Sequence, residues 1–252
     1  MPVSLSDPDR NEAFDGLSVN SITKQFAGVA ALDNLSLHVG RGEVVGLFGR
    51  DGAGKTVCFE AIMGLTRLNA GQVTLFGQDI TSATIDQRAP LGLTYLPQET
   101  SIFRGMTTAQ NIDAVLEHTV RDASQREHRL QELLDTFDIE YVRDVPSTRL
   151  SGGERRRCEV ARSMAASPSI MLLDEPFAGI DPMSVNSIKK TILQLRSMNV
   201  GILMSDQNVH ETVEIIDRAY VIHFGTLIFE GKPSDMMHDE AVREFYLGPE
   251  HM

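Results

Sequence analysis

With 252 residues and 42% hydrophobic side chains, the chain has enough apolar content for one large domain, or for a core carrying a subdomain. It has no run of about 18 uncharged apolar residues, so no segment suits a bilayer crossing. A net charge of -12 disfavours nonspecific nucleic-acid binding, and Cys58 and Cys158, far apart and without a neighbouring Cys or His cluster, argue against a disulfide framework or a zinc site.

Residues 1–16 are polar and acidic, lack the basic and apolar regions of a signal peptide, and read as the flexible tail of a cytosolic protein. Residues 17–23 and 31–39 then read as strands on either side of a turn at Gly28. Phe26, just before that turn, is open to two readings: a core or hairpin aromatic, or a ring stacked on a nucleotide base.

Residues 43–48, EVVGLF, read as a short buried parallel strand, and GRDGAGKT follows at 49–56. This matches G-x-x-x-x-G-K-[ST], a phosphate-binding loop. Gly49, Gly52 and Gly54 let the backbone of Gly49, Arg50, Asp51, Gly52, Ala53 and Gly54 bend through positive φ and turn its N–H groups on phosphate oxygens. Lys55 can reach the β- and γ-phosphates, and the Thr56 hydroxyl can ligate Mg²⁺. Val57, Phe59, Ala61, Ile62 and Leu65 continue as a packed helix whose N-terminal end favours an anion; Cys58 on it reads as a small core residue.

Residues 72–76 suggest a strand and turn, and 91–96 a further apolar strand ending in PQE. Gln98 at that strand end is an ordinary loop residue unless the fold binds nucleotide; then its amide oxygen can meet Mg²⁺ or the attacking water. From 106 to about 150 the periodicity turns helical, with capping-box candidates Thr107-x-x-Gln110 and Ser124-x-x-Glu127 and with Leu130, Leu133, Leu134 and Phe137 on one face.

LSGGE at 150–154 opens the next helix, through Cys158, Val160, Ala161 and Met164. Ser151 can cap it, Gly152 and Gly153 present bare N–H groups, and a second anion-binding helix end suggests a γ-phosphate contact made across an interface. At least two of Arg155, Arg156 and Arg157 read as a solvated helix face. The apolar strand 170–173 ends in Asp174, suited to the water shell of Mg²⁺, and Glu175, suited to orienting or deprotonating the attacking water. A helix starts at Pro182, 200–204 is a buried strand followed by SDQN, 219–223 and 226–229 form a hairpin, and 233–252 is a short helical end.

Taken in order, these motifs resemble those of the ATP-binding-cassette ATPases over nearly the whole chain from Leu17. GRDGAGKT resembles the Walker A loop, LPQE the Q-loop, LSGGE the signature, IMLLDE the Walker B strand and 178–181 (AGID) the D-loop. The resemblance implies an α/β, P-loop NTPase core with a mixed sheet, an antiparallel N-terminal β-subdomain and an α-helical subdomain inserted at about 99–157 of a 17–235 cassette, with a helical tail at 236–252. It implies ATP and Mg²⁺ as ligands: Phe26 on the base; residues 49–57, including Val57, on the phosphates; Thr56, Gln98 and Asp174 at the metal; Glu175, Gln207 and Gln98 in catalysis. Ser151, Gly152, Gly153 and Glu154 of a second copy would complete each site in a head-to-tail homodimer.

The same resemblance implies transmembrane permease subunits that dock in a groove near Ser101, Ile102, Phe103 and Arg104, and a place on the cytoplasmic face of a bacterial inner membrane. Within the family, the segments 95–104, 150–157, 174–182 and 246–248 look most like the lipopolysaccharide-export ATPases of the Lpt system, with the branched-chain amino-acid importer ATPases as the alternative. Soluble translation-type members carry two cassettes and repair-type members long coiled coils, and neither pattern is present. One position departs from the family: Gln207 stands where the switch histidine is expected, which predicts slow hydrolysis with ATP binding retained, unless His210 approaches the site instead.

Overall fold

The computed structural model describes residues 14–207 and 209–247. Of the segment read as a tail, residues 1–13 lie outside the described residues; Gly16 already pairs with Gly40, and Phe14 meets His38 edge to face.

Strands β1 (Gly16–Phe26) and β2 (Val29–Gly40) form one long hairpin. Its turn residues Ala27 (φ 47°) and Gly28 (φ 85°) are both left-handed, the turn geometry whose twist matches that of the flanking strands. Strand β3 (Val44–Phe48) follows, then helix α1 (Lys55–Met63), and β4 (Ala70–Leu75) and β5 (Gln78–Asp79) complete an antiparallel sheet in the order β2-β1-β4-β5. After a short α2 (Ile85–Arg88) come β6 (Leu93–Leu96), the helices α3 (Thr108–Thr119), α4 (Ala123–Thr136) and α5 (Gly152–Met164), β7 (Ile170–Leu173), α6 (Pro182–Ser197), β8 (Gly201–Asp206) and the one-turn α7 (Val209–Thr212). Strands β9 (Arg218–His223) and β10 (Thr226–Gly231) close a second sheet, ordered β10-β9-β3-β8-β7-β6, parallel except for β10. The short helices α8 (Pro233–Met236) and α9 (Glu240–Val242) and a π-helical turn (Arg243–Leu247) end the described chain.

Strands β3, β7 and β8 are buried along their whole length because both faces of this sheet are covered. Their side chains alternate between two cores. Val45, Leu47, Leu172 and Leu203 join Phe59, Ile62 and the antiparallel sheet; Val44, Phe48, Met171, Leu173, Ile202 and Met204 join α3 to α6 through residues such as Ile112, Leu133 and Ile188.

Two local expectations shift. The capping box at Thr107 and Gln110 forms, but α4 is capped by Asp122, whose carboxylate accepts from the Gln125 N–H at 2.8 Å, so Ser124 falls inside the helix. Strand β8 runs on through Ser205 and Asp206, residues that read as loop in the sequence; both side chains are buried, and Ser205 meets Asp174 and Glu175 there. Arg88, 1% exposed, carries no signal in the sequence; its guanidinium donates to the carbonyls of Ala61 (3.0 Å), Ile62, Thr81 (3.0 Å) and Ala83 (2.9 Å), satisfying the C-terminal end of α1 and holding it to the next turns.

Candidate active site

Four neighbouring parallel strands, in the order β3-β8-β7-β6, end at the same edge of the sheet, since Phe48 pairs with Asp206, Met204 with Leu173 and Leu173 with Leu96. The segments leaving these strands are therefore brought together: the glycine loop after β3, Gln207 after β8, Asp174 and Glu175 after β7, and Gln98 after β6. A cleft of ≈ 440 Å³ at this edge is lined by Asp51 to Val57, Gln98, Glu175, Gln207 and, from β2, Ala31.

In the loop, Gly49 (φ 155°), Gly52 (φ 76°) and Gly54 (φ 107°) take the backbone conformations read from the sequence. At Gly54 a Cβ would also lie 2.5 Å from the Ala31 carbonyl oxygen, so glycine is required twice over. Lys55 is 6% exposed, and its ammonium folds back on the loop, donating to the carbonyls of Gly49 at 2.7 Å and Arg50 at 3.3 Å. The Gly225 N–H donates to the Ala53 carbonyl at 2.8 Å and so supports the loop from the β9–β10 turn. Cys58 on α1 is fully buried, and burial together with the charge of Asp174 pushes its thiol up to about 12, as expected of an inert core cysteine.

Asp174 is 1% exposed, and both of its oxygens are engaged: Oδ1 accepts from Ser205 Oγ at 2.5 Å and Oδ2 from the Tyr95 hydroxyl at 3.1 Å. Burial and the Asp174 charge drive the Tyr95 pKa upward, which keeps the phenol protonated as a donor. Glu175 has φ 43°, a left-handed conformation that costs a non-glycine residue energy and is held by the surroundings. Its N–H donates to Ser205 Oγ at 3.0 Å, Gln98 Nε2 donates to its Oε2 at 2.7 Å, and Gln207 Nε2 donates to its Oε1 at 3.0 Å. The carboxylate thus hangs between two amides above the loop. Gln98 meets it through nitrogen, whereas the sequence points only to a role for the amide oxygen.

Ser205, Tyr95 and Arg156 are the site residues that sequence reasoning missed. The one available signal is position, since Ser205 precedes Gln207 by two residues and Tyr95 precedes Gln98 by three. Arg156 corrects an expectation outright: it is 6% exposed, pairs with Glu159 at 3.4 Å, and donates to the carbonyls of Pro97 (3.1 Å) and Asp174 (3.4 Å), tying the β6 and β7 ends together. Arg155 and Arg157 are half-buried and bonded to Leu150 O and to Ser187 and Tyr141, so this is no solvated face. Because Ser205 holds both acidic residues, Ser205→Ala is expected to lower the activity of this cleft by about tenfold or more with the fold intact; initial-rate assays alongside thermal unfolding check it.

The helix end at Ser151 is built as the sequence suggests. The Glu154 N–H donates to Ser151 Oγ at 3.3 Å, and the Glu154 carboxylate accepts from the Ser151 N–H at 2.7 Å and the Tyr141 hydroxyl at 2.9 Å. Ser151 and Gly152 are exposed, whereas Gly153 is buried against α6, where a Cβ would lie 2.7 Å from Ser184 Oγ. None of residues 151–154 lines the loop cleft; Gly152 borders a separate small cavity that shares Gln98 and Glu175. Phe26, 47% exposed at the end of β1 with the Lys24 ammonium 4.6 Å from its ring centroid, is a surface aromatic and not a core one, and it too lies outside the cleft lining. Asn208 and the side chain of His210 lie outside the described residues.

The 101–104 segment is held from two sides. The Ser101 N–H donates to Glu159 at 2.7 Å, Arg162 donates to Ser101 O at 2.8 Å and covers the Phe103 ring, and Asn111 brackets the Phe103 backbone. Ile102 is 7% exposed, so Phe103 and Arg104 are the residues of this segment that face outward; Arg104 lines a cavity of ≈ 220 Å³ with Thr100, Ser147, Thr148 and Arg155.

The family described as ABC transporter matches residues 32–178. The chain belongs to this family. It is 47% identical over 234 residues to a probable ABC transporter ATP-binding protein of Azorhizobium caulinodans, covering 93% of this chain and 83% of that protein. It is 45% identical over 235 residues to the lipopolysaccharide export system ATP-binding protein LptB of Escherichia coli K12, covering 92% and 97%. In fold, the cassette is similar to the ADP conformation of MJ1267, an ATP-binding cassette of an ABC transporter, with a TM-score of 0.83, 24% identity and coverage of 92% and 98%. That likeness bears out the α/β P-loop NTPase architecture, and among the described residues no helix is long and apolar enough to cross a membrane.

Proposed function

We propose that this ABC cassette is the ATP-hydrolysing subunit that powers lipopolysaccharide extraction and export, acting as a homodimer beneath transmembrane permease subunits on the cytoplasmic face of an inner membrane. The observation that carries the hydrolytic reading is Glu175: a carboxylate on a strained backbone, held by two amides across the same cleft as the phosphate loop. The choice of lipopolysaccharide over amino acids rests on relatives 44–45% identical over nearly their full length.

In this reading, ATP lays its phosphates on the N–H groups of residues 49–57, and Lys55 turns from its own loop carbonyls to the β- and γ-phosphates. The Thr56 hydroxyl and the Gln98 amide, which line the cleft, and the buried Asp174 carboxylate at the end of β7 carry oxygens suited to Mg²⁺. A Mg²⁺ held there would supply positive charge to offset that of the phosphates. Glu175 orients the attacking water and takes its proton. The exposed Ser151–Gly152 helix end lies outside the cleft, as required if it serves the site of a second copy, where the Ser151 hydroxyl hydrogen is free of the capping bond and can donate. The exposure of the Phe26 ring supports a contact with the base, and the exposure of Phe103 and Arg104 supports a contact with a coupling segment of the permease.

The test has two arms. Membrane proteins recovered with the tagged chain from its own bacterium should be lipopolysaccharide-transport permeases, and a pair of substrate-specific amino-acid permeases would overturn the export reading in favour of import. In steady-state assays, Gln207→His is expected to hydrolyse ATP roughly tenfold faster than the unaltered chain, the difference between a donor that can carry positive charge and a neutral amide facing the γ-phosphate. Equal, fast rates in both would show that Gln207 does not slow this cassette.

A further inference from the structure

Two acidic side chains share one amide at the mouth of the phosphate loop. Gln207 Nε2 lies 2.6 Å from Asp51 Oδ1 and 3.0 Å from Glu175 Oε1. Carboxylates accept and only the amide nitrogen donates, so with an acid on either side the nitrogen must face both, and the carbonyl cannot take its place. Both N–H groups of Gln207 are therefore committed to protein acceptors before a nucleotide arrives. The sheet enforces this placement: β8 lies between β3 and β7, so the residue after β8 is set between the loop of β3 and the acid of β7. The backbone is held as well, with the Tyr246 hydroxyl donating to Gln207 O at 2.9 Å and Arg50 Nε donating to Tyr246 O at 3.2 Å.

We propose that Asp51 is a positioning residue that latches Gln207 to the phosphate loop and withholds its amide from a terminal phosphate until the Asp51–Gln207 bond is broken. The inference rests on the nucleotide site proposed above. A nucleoside triphosphate must open the latch to engage Gln207, while a diphosphate, held by the same loop N–H groups, has no terminal phosphate to present. The latch therefore lowers the preference for triphosphate over diphosphate. The Asp51 charge by itself does something different, opposing both nucleotides through repulsion.

Calorimetric titration of the full chain with a non-hydrolysable ATP analogue and with ADP separates the two effects. Asp51→Ala is expected to raise affinity for the analogue about tenfold more than affinity for ADP, the worth of one released charge-assisted hydrogen bond. In a Gln207→Ala background the same substitution should shift that preference several-fold less, since only the extra repulsion felt by the more highly charged triphosphate remains. Asp51→Asn, which keeps a neutral acceptor, should fall between. A gain in affinity cannot come from misfolding. Equal strengthening of both nucleotides by Asp51→Ala, or an unchanged shift in preference without Gln207, would overturn the latch and leave the site standing. Failure of the unaltered chain to bind either nucleotide, or undiminished binding after Lys55→Ala, would overturn the site and the latch with it.

Discussion

Replacing Glu175 with glutamine is expected to lower steady-state ATP turnover about 10³-fold while MgATP binding persists, within the range that general-base catalysis contributes. The substitution keeps the side chain's shape on its left-handed backbone, and its remaining carbonyl oxygen can still accept from Gln98 or Gln207. What is lost is the second acceptor oxygen and the capacity to take a proton from water. With chemistry stalled, the ATP-bound state should accumulate, so light scattering should report an ATP-dependent dimer that ADP does not produce. Turnover within tenfold of the unaltered chain would remove Glu175 from the base role and move attention to Gln98 or to the other acids of the cleft.

Lys55→Ala is expected to weaken ATP binding about 100-fold and to abolish turnover. The lysine is buried, and its ammonium holds two carbonyls of its own loop, so its removal takes away both the phosphate's counter-charge and a brace of the loop. Thermal unfolding is the convenient readout. At an ATP concentration 100 times the unaltered chain's Kd, that chain should gain about 2.7 kcal/mol of stability from the ligand, and the variant only a few tenths. A ligand-induced shift preserved in the variant would contradict the loop assignment.

Much of the site was legible residue by residue. The glycine loop could be read because each fixed position answers a local demand, positive φ or an ammonium within reach, and the structure places those conformations at Gly49, Gly52 and Gly54. The β7 strand and its acids were legible because four apolar residues followed by Asp-Glu leave few alternatives. The capping box at Thr107 and the cap at Ser151 are likewise short-range objects, although the box expected at Ser124 gave way to a cap by Asp122. Reading failed wherever a polar group is satisfied by partners distant in sequence. Arg156 looked like solvated surface because its acceptors, Pro97 O and Asp174 O, belong to other elements, and a charge in a sequence is presumed to seek water. Ser205 looked like loop for the same reason: only beside Asp174 and Glu175 does its hydroxyl belong inside.

The sequence by itself determined which chemical groups this protein carries: a glycine loop, a lysine, a hydroxyl, two acids, and an amide where an imidazole is expected. Only the tertiary structure decided which of these groups are neighbours. Local periodicity tells that a segment is a buried strand but not which strand lies beside it, because parallel strands pair across long crossovers whose order leaves no mark on either partner. By setting β8 between β3 and β7, the sheet suspends Gln207 between Asp51 and Glu175, and the residue that read as a missing charge becomes a hydrogen-bonded bridge between two acids.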